Sequence, residues 1–329
     1  GDLPDIASAV AASSAGDTIL LSSGTYTGTG NYNISISGKN LFLLSESDDF
    51  NSCIIDYGGN AGIGITAASA LPFTVIRGIG FTGGSTAQGG GIYASAANVR
   101  IENCHFYDNS ATGNGGGIYL YNGTYYVHDC IIAANEGRYG GGIYGQGSTL
   151  DIRRCELLGN TAETGAGISI NATCSTVITE CLIAENVASN FAGGVMNTSP
   201  GTYVFHSTLV QNGAPSGGGG IYNYSTGYIG IDHTIIAMSS SGGSYVGTPQ
   251  IYNISCCDFF GNNGGDWNAP IGGFYGINGN IDADPMFCMD YNPSDPWSLD
   301  TDSPALTASC GIMGAKDYTG CGVVGTEES

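Results

Sequence analysis

Short apolar segments of alternating polarity recur along the chain at a nearly fixed interval. Val99 and Ile101, Tyr125 and Val127, Leu150 and Ile152, Thr176 and Ile178, and Ile229 and Ile231 form such pairs. Strand side chains alternate with period 2, so each pair lies on one face of a strand. A Gly-Gly-Gly-Ile-Tyr segment occurs at Gly89–Tyr93, Gly115–Tyr119, Gly140–Tyr144 and Gly218–Tyr222, with looser copies at Gly165–Ile168 and Ala192–Val195. Its apolar residue falls at Ile92, Ile118, Ile143, Ile168, Val195 and Ile221, in steps of 26, 25, 25, 27 and 26. A second motif runs in phase: Cys104-Phe106-Asn109, Cys130-Ile132-Asn135, Cys155-Leu157-Asn160 and Cys181-Ile183-Asn186. It continues with Ser207, Leu209 and Asn212, then Thr234 and Ile236, then Cys257, Phe259 and Asn262, while Cys53-Ile55 and Ile79-Phe81 fit upstream.

A unit of about 26 residues holds three short strands and their turns. Such a unit cannot bury its apolar face alone, but stacked units form a continuous core. Coils stacked at about 4.8 Å bring like positions together. Asn109, Asn135, Asn160, Asn186 and Asn212 then form a ladder whose side-chain amides bond from coil to coil. Cys53, Cys104, Cys130, Cys155, Cys181 and Cys257 form an internal column of small, reduced core residues. The pattern predicts an all-β solenoid of about ten coils over residues 19–265, an N-terminal cap over 1–18 and a loop-rich C-terminal cap with a linker stub over 266–329.

Composition narrows the function classes. With 56 glycines among 329 residues the chain cannot be rich in helix, and with 42% hydrophobic residues it is not a disordered chain. Seven Lys and Arg against 28 Asp and Glu give a net charge of −21, which excludes nucleic-acid binding and disfavours an anionic membrane surface. No apolar run reaches the 18 or so residues of a membrane span, so no membrane insertion is expected. The chain begins at Gly1, which fits removal of an export signal and predicts an extracellular or cell-surface location. From Asp258 onward there are eleven acidic residues and one base, Lys316. Calcium is the one cofactor this acidic end suggests, and no other metal or cofactor is expected.

The Gly-Gly-[Gly/Ala]-Ile segment followed by Phe-x-x-Asn, as in Phe106 to Asn109, resembles the repeat of the chlamydial polymorphic outer-membrane proteins. More broadly, residues 53–265 are similar to the secreted right-handed parallel β-helix repeat proteins. Ile6 to Val10 with Ala15 to Leu21, and Gly279 to Pro285 with Asp302 to Pro304, resemble the opening and closing segments of that superfamily. The resemblance implies a right-handed, single-stranded parallel β-helix with a short capping helix. It does not select a function, because this fold carries lyases, hydrolases, adhesins and structural proteins.

Candidate chemistry lies at the corner before the Cys column, where each coil contributes two polar residues. Asp129, Arg154, Glu180 and His206 fall on one row, with Arg153 beside it. As an enzyme, the chain would use Arg153, Arg154, Glu180 and His206 to hold a sugar and move protons. As a structural protein, the same row is a ladder of alternating charge. Tyr93, Tyr119, Tyr144 and Tyr222 form an outward stripe, the candidate platform for a sugar or a partner subunit. Sequons at Asn33, Asn122, Asn171, Asn197, Asn223 and Asn253 are candidate glycosylation sites, and Asn171, Asn197 and Asn223 recur every 26 residues. Eleven cysteines leave at least one unpaired; Cys310 and Cys321 flank a short Gly-rich loop and are the candidate disulfide. The leading expectation is a non-enzymatic surface or extracellular subunit or adhesin, self-associating end to end into a filament or layer, or bound to cell-surface glycans. The alternatives are a carbohydrate-active enzyme, lyase or hydrolase, and a non-catalytic carbohydrate-binding protein.

Overall fold

The computed structural model describes residues 3–66, 73–224, 228–243, 245–247, 251–289, 295–315 and 321. One coil sets the pattern for the rest. Ile92–Ser95, Asn98–Glu102, His105–Tyr107 and the two-residue Ser110–Ala111 are successive strands, each followed by a turn. Each pairs in parallel with its counterpart one coil on: Ile92 with Ile118, Val99 with Tyr125, Phe106 with Ile132 and Ser110 with Glu136. Stacking generates sheet I from strands like Ile92–Ser95, sheet II from strands like Asn98–Glu102 and sheet III from strands like His105–Tyr107. Among the described residues these sheets hold nine, ten and ten strands, and a fourth, short sheet holds five. The parallel solenoid predicted from the repeat is thus the fold.

The turns explain why so tight a coil is possible. Asn103, Asp129, Arg154, Glu180, His206 and His233 all have φ between +42° and +56°, so one left-handed residue makes the corner between sheets II and III in each of these coils. Asp108 and Ala134 make the next corner in the same way, and Ala96 and Asn122 the one between sheets I and II. At the last corner Gly115 has φ +68°, and neighbouring coils approach so closely that a Cβ on Gly116 would collide with the carbonyls of Glu136 and Gly141. Only glycine fits such an approach.

The core is a set of in-register columns. Ile92, Ala94, Val99, Ile101, Cys104 and Phe106 are fully buried, as are their counterparts in the following coils. Tyr57, Phe81 and Phe106 stack successively, with ring centroids 6.3 and 4.8 Å apart. Burial of each such side chain contributes about 1.5–3 kcal/mol. The six column thiols are buried and unpaired, and Cys104 and Cys130 donate to main-chain carbonyls of their own and the preceding coil. Burial pushes the Cys257 thiol well up. The Asn ladder forms as expected: the Asn135 amide nitrogen donates to Phe106 O, Ala133 O and Asn160 Oδ1, at 3.0 Å each. Its own Oδ1 accepts from Asn109 N and Nδ2.

Both ends of the core are covered. Helix α1, Ile6–Ala12, is capped by Asp5 and buries Ile6 and Val10 against the first coil. At the far end Trp267 stacks on Phe259 at 4.5 Å, and Ile271 and Phe274 complete the cover. The chain beyond Asn280 departs from the expected end cap. Residues 281–289 and 295–315 double back as a strap along the outer face of sheet III. Trp297 packs there with Leu182, Ala184 and Val210, and Leu299, Ala305 and Met313 pack with Ile235 and Ala237. The strands Leu182–Ala184, Thr208–Val210 and Ile235–Ala237 are consequently buried on both faces. The terminal stub after Cys321 lies outside the described residues.

The disulfides correct the expected pairing. Cys310 bonds to Cys256 and Cys321 to Cys288. Nearness in sequence misled, because the strap carries Cys310 back onto the last coils. One bond ties the strap to the solenoid and the other ties Cys288 of the strap to Cys321.

Candidate functional site

The left-handed corner between sheets II and III projects its side chains outward in a row along the solenoid. Arg154, Glu180, His206 and His233 succeed one another there, one per coil, and the end of the strap, Gly311 to Ala315, lies beside them. Between strap and row runs an open cleft of about 640 Å³ whose floor also includes Glu156 and Leu182. The strap is fixed at this edge. Gly314 N donates to His233 O at 2.9 Å and Ala315 N to Thr208 Oγ1 at 3.0 Å. The His233 ring is 3.1 Å from the Cys310 carbonyl through Nε2 and stacks on His206 with centroids 4.6 Å apart.

Three of the four residues chosen from the sequence therefore meet in one cleft, and the fourth does not. Arg153 ends its strand and binds Asp151 through Nε at 2.6 Å, away from the cleft. Arg154 is held by Asp129 through Nε at 2.6 Å and Nη2 at 2.9 Å, a two-point contact that raises the guanidinium pKa further. The charge ladder is thus real at Asp129–Arg154, and Arg77–Asp48 and Arg138–Glu163 repeat it elsewhere. It stops at Glu180, which forms no ion pair among the described residues. His233 follows His206 in the same corner stripe, as the repeat spacing places it, but was not among the four residues given a role; Glu156 was not among the candidates and joins only because the strap walls its side of sheet III.

Two other clefts carry less chemistry. One lies between α1 and the first coil, where Asp5 accepts from Ser8 N and Asp17 from Ser14 N, so both carboxylates serve the backbone. The other, beside Tyr93 and Gln88, is lined by no charged residue.

The tyrosine stripe is a closed stack. The Tyr93, Tyr119 and Tyr144 rings lie parallel at 5.1 and 5.3 Å, and Tyr119 and Tyr144 are only 5% and 3% exposed. Each ring covers its neighbour, and burial with those neighbours pushes the Tyr119 hydroxyl up to about 12. Tyr222 stands apart, against Phe191 and Tyr224. The expected open platform is thereby corrected: like residues in register stack on one another before they can stack on a sugar.

The glycan edge is corrected as well. Asn197 and Asn223 are fully buried, and Asn197 Nδ2 donates to Asn223 Oδ1 at 2.7 Å. An inward amide cannot accept a glycan. Asn122 is exposed at its corner. Asn171 is half-buried and bonded to the Tyr144 hydroxyl and Thr198, and Asn253 is half-buried and bonded to Ser255.

In the acidic C-terminal region Asp258 is fully buried, accepts from Ala283 N through Oδ1 and has no hydrogen-bond partner at Oδ2 among the described residues. Burial, with Asp282, Asp266 and Asp284 near, pushes its carboxyl up to about 7. No three carboxylates there converge among the described residues; the group that does is His233, Cys256 and Cys310.

Comparison with known proteins bears on the fold. A pectate lyase, Pel9A, superimposes with a TM-score of 0.51 at 14% identity, over 95% of this chain and 89% of that one. A PL6-family polysaccharide lyase from Pseudopedobacter saltans superimposes with a TM-score of 0.33 at 12% identity, over 95% and 98%. No curated protein matches the sequence. The family model described as right-handed beta helix region matches residues 17–212, more than half of the chain, and the protein belongs to that family.

Proposed function

We propose that this chain is a carbohydrate-active enzyme that holds a polysaccharide in the corner cleft and cleaves it by proton transfer. The observation that carries the reading is the convergence of Glu180, His206, His233 and Glu156 in one open groove, with a fixed cation, Arg154, at its edge. Glu180, which forms no ion pair among the described residues, lines the same groove as the imidazole of His206, and a carboxylate with an imidazole is a group set that can donate and accept protons. A groove along the solenoid suits a polymer better than a small molecule. Net charge of −21 repels polyanions over about a Debye length, and Asp129 already occupies two donors of Arg154. Both favour a neutral or weakly charged polysaccharide and hydrolysis over elimination from a uronate. Two disulfides fit an oxidising compartment, where such a polymer would be met.

A panel of neutral and acidic polysaccharides tests the proposal, with reducing ends and the ultraviolet absorbance of unsaturated sugars read together. New reducing ends without that absorbance are expected. Glu180→Gln and His206→Ala should each lower turnover by about 10²–10⁴-fold, while Arg153→Ala leaves it unchanged. Unsaturated products would keep the cleft but replace hydrolysis by elimination. No cleavage and no binding across the panel would overturn the reading.

A structural role at the cell surface is the second reading, and the neutralised charge ladder favours it. In that role, end-to-end pairing of coils requires displacement of α1 at one end and of Trp267, Ile271 and Phe274 at the other.

A further inference from the structure

The corner row ends in a different chemistry. In the last complete coil the left-handed position is Cys256, with φ +53°. Its sulfur faces Cys310 of the strap, and the side chain of His233, one coil back, stands beside both. The three ligand atoms, one nitrogen and two sulfurs, all lie within 4.8 Å of one another. In a tetrahedral site thiolate and imidazole ligands sit about 2.0–2.3 Å from the ion and so roughly 3.3–3.8 Å from one another; the two sulfurs, bonded to each other here, would part to that spacing on reduction without leaving the cluster.

The surroundings are those of a built site. Asp232 Oδ1 lies 3.1 Å from His233 Nδ1, close but not aligned as a hydrogen bond, so Nδ1 is buried without a hydrogen-bond partner. Ser255 Oγ donates to the same Asp232 oxygen at 2.8 Å and holds the carboxylate in place. A carboxylate behind an imidazole orients it toward a metal and raises its basicity; the nitrogen left for the metal is Nε2, whose present contact with the Cys310 carbonyl at 3.1 Å the cation would replace. Gly279, with φ +77°, leaves the space the sulfurs occupy: a Cβ there would lie 2.7 Å from Cys310 Sγ and 3.4 Å from Cys256 Sγ. The contrast with the column thiols is chemical. Those donate to main-chain carbonyls inside a closed core, whereas Cys310 is only part-buried, and His233 also lines the cleft.

We propose that His233, Cys256 and Cys310 form a binding site for one thiophilic divalent cation, of the zinc class, when the Cys256–Cys310 disulfide is reduced. Reduction takes two electrons and two protons from a dithiol such as dithiothreitol, which becomes a cyclic disulfide. The cation then displaces both thiol protons to solvent and binds two thiolates and one imidazole nitrogen. Three protein ligands leave a fourth position for water. Oxidised, the pair is a staple between strap and solenoid; reduced and metal-loaded, the cation takes over that role. Soft sulfur ligands select zinc over calcium or magnesium. The site needs no saccharide, so it stands or falls apart from the cleft's proposed activity.

Cobalt(II) added to the reduced full-length protein under anaerobic conditions is the test, with circular dichroism confirming the fold. One cobalt per chain, a sulfur-to-cobalt charge-transfer band and its bleaching by zinc are expected, with no band in the oxidised protein. Cys310→Ser should abolish the band while keeping the seven buried unpaired cysteines and the reduced Cys288 and Cys321 as an internal control. His233→Ala, which keeps both sulfurs, should weaken binding, and Asp232→Asn should weaken it by about 10–100-fold. No band in the folded, reduced protein, or an equal band in Cys310→Ser and His233→Ala, would overturn the proposal.

Discussion

Asn160 shows how much a single side chain does in this fold. Its amide nitrogen donates to Ile132 O and Asn186 Oδ1, and its Oδ1 accepts from Asn135 N and Nδ2. Truncation would orphan buried groups on two neighbouring coils, each costing about 1–3 kcal/mol. Asn160→Ala is therefore expected to lose about 3 kcal/mol or more in urea unfolding, whereas Asn122→Ala, exposed at a left-handed corner, should cost about 1 kcal/mol. Asn160 was legible because the ladder is written in the sequence as a repeat. Asn197 and Asn223 were misread because a sequon describes chemistry without direction: the same 26-residue spacing that suggested a glycan edge also brings two inward amides into register. Asp258 was legible only as one acid among eleven. Its carboxyl, raised from 3.8 to about 7 in the folded protein, binds its proton more tightly folded than unfolded. Its contribution to stability is present below about pH 4 and is lost as pH rises toward 7. Relative to Asp258→Asn, the wild type should lose on the order of 4 kcal/mol across that interval; parallel stability curves would refute this assignment.

Among elements, the solenoid strands and the strap differ in how they are encoded. The strands repeat, so their faces could be read from phase: Val99 and Ile101 inward, Arg100 outward. The strap occurs once and has no repeat to expose it. A signal was nonetheless present. Leu182-Ile183-Ala184 and Ile235-Ile236-Ala237 are apolar throughout, while the equivalent His105-Phe106-Tyr107 alternates. An unbroken apolar strand suits burial on both faces, although Ile131-Ile132-Ala133, equally apolar, keeps its outer side chains half-exposed, so the signal marks where a cover can sit and not how far it reaches. Trp297 is the main cover and is 6% exposed. Trp297→Ala should cost about 3–5 kcal/mol of strap docking, read as faster amide exchange in residues 295–315 with the sheet II strands unaffected. Equal protection in wild type and variant would show that the disulfides alone hold the strap.

For the whole molecule, the sequence carried the parallel solenoid, but not the strap or the cleft it walls. A repeat can place Arg154, Glu180, His206 and His233 on one row. It cannot tell a flat charged ladder from the floor of a groove, because the wall comes from Gly311 to Ala315, more than 75 residues further along the chain. The central claim is that this groove is where a saccharide polymer sits. Hydrogen exchange with and without each panel polysaccharide tests it most directly. Protection is expected at residues 154–156, 180–182, 206–208 and 311–315, and nowhere on the stacked tyrosine face. Protection confined to that tyrosine face or to the capped ends would contradict the account.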